Sequence, residues 1–444
     1  MWICFLLERK DIVFTVDVLK RVVADFHRSG QRSDVVDRET VIPTGSGRIA
    51  TVVGPRRAGK TYLMYAAMKK LRAQGCDLRQ LLYVNFEDER FKLEASDLDL
   101  LLDAYRQLYP EMDLATCHFF LDEVQEVEGW EKFVRRLHDT VSRNVYVTGS
   151  SSRMLAREIA TSLRGRTVPV QVYPLSFAEF LRFRAVDAED TSSSVARSRL
   201  VRAFDEYMMV GGYPESVTAD AGLARTILQS YLDVMIYRDI IERHGVTQTH
   251  IIKDMLKRIF ENTARIFSVS KYYNDLRSRG VAVSKDTLYA LFSHIEEAFI
   301  AFPCEKWDRS VAKRAQTMKK LYANDTGMVV ATKFLREADN GHLLETACFL
   351  HLLRSGHRPT YFNDSVECDF VVESVEGRSV IQACWELDEA NRSRELSGLV
   401  RAAARLGLHS GTIVTHVQTN EIQYEGIDIS VVPAWRWFLE MPRA

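Results

Sequence analysis

Residues 54–61 have the types and spacing needed to bind a phosphate group. The segment reads Gly54-Pro-Arg-Arg-Ala-Gly-Lys-Thr61 and matches G-x-x-x-x-G-K-[ST] at every fixed position. It follows an apolar run at 49–53 and opens a helical pattern at Tyr62, which is the context that such a loop requires. Its backbone N–H groups and the positive end of the helix would surround the phosphates. We therefore predict ATP binding by Gly54, Ala58, Gly59, Lys60, Thr61 and Tyr62.

A pair of acids gives the loop a possible chemical partner. Asp122 and Glu123 follow the apolar run 118–121. We predict that Asp122 and the Thr61 hydroxyl hold Mg²⁺, while Lys60 contacts the β- and γ-phosphates. Glu123 would orient or deprotonate an attacking water. The alternative is that the two acids only cap the helix that follows them.

Two further segments can contribute polar groups to phosphate chemistry. Thr148 ends the apolar run 144–148 and could contact the γ-phosphate or water, or else lie in a polar turn. Arg164 and Arg166 could supply a guanidinium that neutralises the transition state. Either arginine would act in its own chain or from a neighbouring subunit of a homo-oligomer, unless both form ordinary surface salt bridges.

The elements that must position these residues follow from hydrophobic patterning. Short runs that are apolar on both faces alternate with helical segments, which is typical of a parallel α/β sheet. The predicted fold class is α/β, with a parallel sheet that carries the phosphate-binding loop. The predicted divisions are an N-terminal helix and linker (1–44), the P-loop core (45–175), a helical lid (176–250), a winged helix-turn-helix (251–328) and a C-terminal α/β domain (329–444).

Five segments together resemble those of a known protein family. They are residues 54–61, 121–130, 147–152, 163–166 and 211–215. The chain resembles the prokaryotic, largely archaeal, AAA-type ATPases whose C-terminal half is a domain of unknown function. The resemblance implies that the predicted sheet is a P-loop NTPase sheet of the AAA/ASCE type in an ATPase core with a helical lid. It also implies a winged helix and an endonuclease-like α/β domain at 329–444, with a fold similar to restriction endonucleases. It also implies that Lys60, Thr61, Asp122 and Glu123 keep their usual roles.

The C-terminal region contains what reads as a degenerate nuclease site. Endonuclease-like folds gather acids from a helix and a strand, with an acid-x-Lys on the paired strand, around magnesium. The candidates are Glu345, Asp369 and Gln382, followed by Cys384. An amide replaces a carboxylate and a thiol replaces an ammonium, so we expect a fold retained for binding or docking rather than cutting.

A local basic segment is the best candidate for a DNA contact, together with the winged helix itself. Arg309 to Lys320 carries five basic residues and no acid, and could either neutralise phosphates or be a solvated loop. The presumed recognition helix 285–297 is poorer, because its acids outnumber its bases.

Composition limits the remaining function classes. The net charge of −1 excludes a strongly basic protein, and the seven cysteines form no C-x-x-C pair. No apolar stretch reaches the length of a membrane span, so we expect a cytoplasmic protein without a membrane partner. The leading hypothesis is an ATPase that acts as a nucleotide-dependent switch or motor on a nucleic-acid or protein partner. The alternatives are an ATP-gated, metal-dependent DNA nuclease and a non-hydrolysing ATP-binding module.

Overall fold

The chain divides into two compact units, residues 1–172 and residues 173–444. The computed structural model describes residues 2–29, 35–90, 92–150, 163–310, 314, 318–332, 340–375 and 377–440, with side chains from residue 16 onward. The finer division into five parts stays a prediction.

A five-stranded parallel sheet forms the centre of the first unit. Its strands are β1 (Ile49–Val53), β2 (Leu81–Asn85), β3 (His118–Asp122), β4 (Asn144–Gly149) and β5 (Thr167–Gln171). They lie side by side in the order β2-β3-β4-β1-β5. Strand β4 therefore separates β1, which leads into the phosphate-binding loop, from β3, which carries the acids. This arrangement confirms the predicted P-loop NTPase fold.

The strands of this sheet are buried because helices cover it. Every residue of β1 is buried, and β3 and β4 are buried after their first residue. Burial on both faces explains why these strands read as continuous apolar runs rather than alternating ones. The α-helices of the unit span Trp2–Ser29, Lys60–Ala73, Asp99–Leu108 and Trp130–Thr140.

The second unit begins with helices. They span Phe177–Phe183, Ser194–Val210, Pro214–Thr218, Ala221–Val234, Thr249–Glu261, Val269–Ser278 and Lys285–Glu297, with a π-helical segment at Met235–Glu242. The predicted break at 211–214 is confirmed, since one helix ends at Val210 and the next begins at Pro214. At Gly211 a Cβ would lie 1.9 Å from a carboxylate oxygen of Asp325, so a side chain cannot be accommodated there without movement.

Two sheets follow in the second unit. A three-stranded antiparallel sheet has the order β6-β8-β7, with β6 at Arg265–Phe267, β7 at Ala301–Cys304 and β8 at Lys319–Ala323. A six-stranded mixed sheet has the order β13-β14-β12-β11-β10-β9. Its strands are β9 (Thr360–Asp364), β10 (Val366–Ser374), β11 (Gly377–Ala383), β12 (Ser410–Thr415), β13 (Asn420–Tyr424) and β14 (Ile427–Pro433). The remaining helices are Thr326–Thr332, Asn340–Arg354, Arg392–Leu406 and Ala434–Glu440.

Helix 392–406 connects two parallel strands of the six-stranded sheet. It follows β11 and precedes β12, and its buried residues pack with those of β10, β11 and β12. A crossover helix is what a parallel connection requires. Among the described helices, none combines the length and the apolar character needed to cross a membrane.

Candidate functional site

The phosphate-binding loop lies between β1 and helix 60–73. Gly59 adopts a left-handed conformation (φ 96°) directly before the helix, and a Cβ on Gly54 would lie 2.1 Å from the Val172 carbonyl oxygen. Both positions therefore need glycine for physical reasons. The loop is also held from outside the motif, because Arg38 donates a hydrogen bond of 2.9 Å to the Ala58 carbonyl. Tyr62 is exposed at the first turn of the helix.

The Lys60 side chain is buried against the loop and the acids. Its ammonium donates to the carbonyl oxygens of Gly54 (3.2 Å) and Pro55 (3.3 Å). It also lies 3.4 Å from a carboxylate oxygen of Glu123. The lysine is 4% exposed, so its charge acts in a region from which water is largely excluded. The structure thus brings together the predicted lysine and the predicted base.

Asp122 is fully buried at the carboxyl end of β3 and is surrounded by hydroxyl groups. It accepts hydrogen bonds from Thr61 (2.8 Å), Tyr83 (2.8 Å) and Thr148. Burial raises the pKa of Asp122, as does the neighbouring charge of Glu123, while the hydroxyl donors oppose the shift. The carboxylate and the Thr61 hydroxyl are oxygen ligands of the kind that Mg²⁺ prefers, and they lie side by side.

Glu123 has a backbone conformation that sets it apart from the strand before it. Its φ of 51° and ψ of 45° are left-handed, which is costly for a residue other than glycine. Its side chain accepts a hydrogen bond of 2.6 Å from Gln125 and faces Lys60. Burial alone would raise the pKa of Glu123, but Lys60 and Gln125 hold that pKa below its ordinary value. Glu123 is the N-cap residue of the short helical turn that follows, but its side chain makes no capping hydrogen bond.

Thr148 positions the two acids. Its hydroxyl donates to Asp122 and accepts a hydrogen bond of 2.8 Å from the backbone N–H of Glu123. Thr148 is fully buried, and its hydroxyl uses both its donor and an acceptor position within the protein. Sequence reasoning offered a phosphate sensor or a polar turn, and it did not foresee this role. Tyr83 was also missed, because nothing local marks a tyrosine on β2 as a partner of an acid on β3.

The two candidate arginines lie at the amino ends of the strands, whereas the phosphate-binding loop lies at their carboxyl ends. Arg166 directly precedes β5, and its side chain forms a 2.7 Å ion pair with Asp139. Arg164 is exposed three residues before the same strand. A five-residue strand spans about 16 Å, so neither arginine is placed to reach a nucleotide bound at the loop of its own chain. The expectation of action within the same chain does not fit this placement.

A second group of charges surrounds Lys320 in the second unit. Its ammonium contacts carboxylate oxygens of Glu345 (2.8 Å), Glu367 (2.6 Å) and Asp369 (3.2 Å). Lys320 is 2% exposed, so both interpretations of the basic segment, DNA phosphate contact and a solvated loop, are wrong for this residue. Burial opposes its charge, but the three acids together raise the pKa of Lys320 well above its ordinary value.

The predicted pairing of Asp369 with Gln382 is confirmed. Strands β10 and β11 are antiparallel with Phe370 opposite Ile381, which places the preceding Asp369 beside Gln382. The Gln382 amide oxygen accepts from the Asp369 backbone N–H at 3.1 Å, and its amide group donates to Glu395 at 2.7 Å. Gln382 therefore fastens the two strands and helix 392–406 together. Glu376, at the predicted turn of this hairpin, lies outside the described residues.

The acids open onto a cavity of about 650 Å³ in the second unit. Glu345, Asp369, Gln382 and Cys384 are among its lining residues. Glu345 is buried there, and burial together with the charge of Asp369 raises its pKa to about 8. Three acids facing one ammonium leave excess negative charge, so Glu345 takes up a proton more readily than an exposed glutamate.

One further residue of the basic segment 309–320 is held by other parts of the second unit. Arg314 is ion-paired with Glu373 at 3.3 Å and donates to the Asp308 carbonyl at 2.6 Å. Lys313 lies outside the described residues. Arg309 and Lys319 remain as candidates for phosphate contacts.

Comparisons with known proteins agree with the geometry of the first unit. A family model described as an AAA domain matches residues 46–181, and one described as a domain of unknown function (DUF8612) matches residues 201–339. An uncharacterized protein of Methanocaldococcus jannaschii is 30% identical over 440 residues, covering 95% of each chain. The chain belongs to this family of AAA-domain proteins. An uncharacterized protein of Haemophilus influenzae is 30% identical over 391 residues, 87% of this chain and 94% of that one.

A comparison with solved structures adds little. The crystal structure of Cdc6p from Pyrobaculum aerophilum covers 72% of this chain and 91% of that chain, at 11% identity and a TM-score of 0.25. A score this low supports no argument about shape or partners. The AAA-domain match and the strand order together establish an ATPase-type P-loop fold in the first unit.

Proposed function

We propose that this AAA-domain protein hydrolyses ATP with Mg²⁺ and uses the nucleotide state to control a macromolecular partner. The observation that carries the proposal is the joint placement of four residues. Thr61 and Asp122 lie 2.8 Å apart, and Glu123 lies 3.4 Å from Lys60, all where the phosphate-binding loop meets the carboxyl end of β3. Each group matches a step that phosphoryl transfer requires.

The chemical roles follow from charge and position. Mg²⁺ would be held by the Thr61 hydroxyl and the Asp122 carboxylate, and it would neutralise charge on the β- and γ-phosphates. Lys60 would contact the same phosphate oxygens. Glu123, kept ionised by Lys60 and Gln125, would accept a proton from, or orient, the attacking water. An arginine from a neighbouring subunit could complete the charge neutralisation.

Phosphate release from Mg-ATP tests this assignment. We expect Lys60→Ala to lose nucleotide binding, and Glu123→Gln to bind ATP but release phosphate about 10²–10⁴-fold more slowly. Glu128→Gln is the matched control, since it removes an exposed acid five residues further along the chain. If Glu123→Gln releases phosphate at the wild-type rate, the protein is a non-hydrolysing binding module instead.

The class of partner is the finer part of the proposal. Elements between 249 and 323 follow the order helix, strand, helix, helix, strand, strand, which is the order of a winged helix. Lys320 is buried and Arg314 is paired with Glu373, so less basic surface is available for DNA. This favours a protein partner over a nucleic-acid partner. Phosphate release measured with single-stranded DNA, duplex DNA and RNA separates these cases, because only a cognate nucleic acid should stimulate it.

One observation favours an ATP-gated nuclease as a second candidate. Cys384 cannot stabilise a phosphorane, but Lys320 brings an ammonium to Glu345 and Asp369 from another strand, beside an open cavity. A lysine and acids in one place meet part of the requirement of an endonuclease-like site. Plasmid incubated with ATP and Mg²⁺ or Mn²⁺ tests it. Nicking should disappear in Asp369→Asn and persist in Asp364→Asn, an exposed acid on β9; intact wild-type reactions reject the candidate.

A further inference from the structure

Two histidines and a glutamate converge in the region matched by DUF8612, and none of them belongs to the two sites described above. His244 follows the π-helical segment 235–242, and His294 and Glu297 lie in the last turn of helix 285–297. The side chains of His244, His294 and Glu297 are 9%, 17% and 18% exposed. They are thus largely removed from solvent while an ion can still reach them.

The distances among these side chains suit a small cation. Nε2 of His244 lies 3.6 Å from Oε2 of Glu297, and Nδ1 of His294 lies 3.9 Å from the same oxygen. One ligand atom from each residue can be chosen so that all three lie within 4.8 Å of one another. Zn–N and Zn–O bonds of about 2.0–2.2 Å in a tetrahedral site place ligand atoms about 3.4 Å apart. Shifts of a few tenths of an ångström would bring both histidine nitrogens to this distance from Oε2 of Glu297. The ligand nitrogens of the two histidines, at most 4.8 Å apart, must also approach each other.

The surrounding backbone favours positive charge at this point. His244 is followed by Gly245, whose φ of 61° takes the chain out of the helix, and Glu297 is the last residue of helix 285–297. Two helix carboxyl ends, each carrying partial negative charge, therefore meet beside a carboxylate. A metal cation at this position would be stabilised by that negative charge.

The arrangement of the rings bears on metal binding. The imidazoles of His244 and His294 are stacked, with centroids 3.6 Å apart and planes inclined by 12°. Neutral imidazole is the form that binds metals. Coordination of one ion by both rings needs them to tilt until their nitrogens converge, which is a side-chain rotation at a partly open position.

A neighbouring hydroxyl orients the carboxylate. Ser293 donates a hydrogen bond of 3.2 Å to Oε1 of Glu297, one turn along the same helix. The other oxygen, Oε2, is the one that faces both histidines. Hydrogen bonds from a residue outside the ligand set commonly fix metal-binding carboxylates in this way.

We propose that His244, His294 and Glu297 bind a divalent transition-metal ion of the Zn²⁺ type. Two imidazoles and one carboxylate favour Zn²⁺, Co²⁺ or Ni²⁺ over Mg²⁺ and Ca²⁺, which prefer oxygen ligands alone. Three protein ligands leave a fourth position for water. The ion joins residues about fifty positions apart, so it fixes the end of helix 285–297 against the π-helical segment.

Zinc titration of the full chain tests this inference. Tag-free protein, stripped with EDTA and freed of it, should bind one Zn²⁺ by isothermal titration calorimetry, and excess Mg²⁺ should not compete. Co²⁺ in place of Zn²⁺ should give visible absorption bands of a four-coordinate site. His244→Ala, His294→Ala and Glu297→Gln should each weaken zinc binding by at least about tenfold. Losing a hydrogen bond that only supports a ligand already costs about that much affinity, and losing a ligand itself should cost no less.

Controls separate this site from other acids and histidines. His250→Ala removes an exposed histidine on the next helix, and Asp122→Asn changes the acid pair of the first unit, so both should keep the zinc affinity of the wild type. Zinc should raise the melting temperature of the wild type and of His250→Ala but not of Glu297→Gln, whose shape is preserved. Equal zinc affinity in the wild type and the three ligand variants, or no binding by the wild type, overturns the proposal.

Discussion

Each of the two units contains a buried lysine that faces carboxylates, but the two lysines are held in different ways. Lys60 contacts the carbonyl oxygens of its own loop and one acid, Glu123. Lys320 contacts three acids on two other elements, helix 340–354 and β10. The first arrangement is set by a contiguous motif and the end of one strand. The second exists only after three elements have packed together.

The two units differ in how completely the charges of their acids are balanced. In the first unit, hydroxyl groups satisfy Asp122 while Glu123 is balanced by Lys60, so both acids are kept in place beside the loop. In the second unit, one ammonium serves three acids and the excess negative charge raises the pKa of Glu345. We expect the first lysine to matter most for ligand binding and the second for stability.

Removing the second lysine should have the largest effect on stability. Lys320→Met leaves the buried Glu345 and Asp369, and the partly exposed Glu367, without their shared cation. We expect this to cost about 3–5 kcal/mol of unfolding free energy. Urea unfolding followed by tryptophan fluorescence reports on it, since Trp307, Trp385, Trp435 and Trp437 all lie in the second unit. Lys319→Met, on the neighbouring residue of β8, is the control. A similar small cost in both variants would show that the three-acid contact contributes little.

Thr148→Val tests how the acids of the first unit are positioned. The substitution keeps the shape but removes the donor to Asp122 and the acceptor for the Glu123 N–H. A buried polar group left unpaired costs about 1–3 kcal/mol, so stability should fall by that amount and Mg-ATP should bind more weakly. Thr148→Ser retains the hydroxyl and should restore most of both. Unchanged Mg-ATP affinity in Thr148→Val would contradict the positioning role.

The pH dependence of stability should reveal Glu345. Its pKa is raised to about 8 in the folded protein, so between its ordinary value and about 8 the folded state holds a proton that the unfolded state releases. The free energy of unfolding therefore falls as pH rises through this window, by up to about 1.4 kcal/mol per pH unit, and levels off above it. Urea unfolding at pH 6, 7 and 8 should show a shallower slope in Glu345→Gln. Glu386→Gln, an exposed acid of the same cavity, should leave the slope of the wild type.

Arg166→Ala should have the smallest effect. Its ion pair with Asp139 is about one-third exposed on both sides, and such pairs contribute about 0–1 kcal/mol. Arg166 lies at the amino ends of the strands, opposite the phosphate-binding loop, so the Mg-ATP affinity measured by calorimetry should not change. A loss of phosphate release that grows with protein concentration would assign it to a neighbouring subunit's site; weaker nucleotide binding by the isolated chain would contradict the placement described here.

The sequence predicted the first unit well because its signals are local. The loop 54–61 combines fixed residues with a preceding strand and a following helix, and the acids of β3 follow directly from an apolar run. It predicted the second unit less well. Lys320 begins a run that becomes buried at Leu321, Tyr322 and Ala323, which is the one local sign that it does not belong to a solvated loop.

The sequence alone determined the phosphate-binding loop, the acid pair and the α/β class, since hydrophobic periodicity and fixed spacing express constraints between residues close in the chain. The tertiary structure decided that Thr148 and Tyr83 hold Asp122, that Arg164 and Arg166 lie at the amino ends of the strands, and that Lys320 pairs with three acids. Those outcomes depend on which strands are neighbours and in what register. Contacts between residues 25 to 49 positions apart leave no mark in local sequence, because only packing of the completed sheets brings them together.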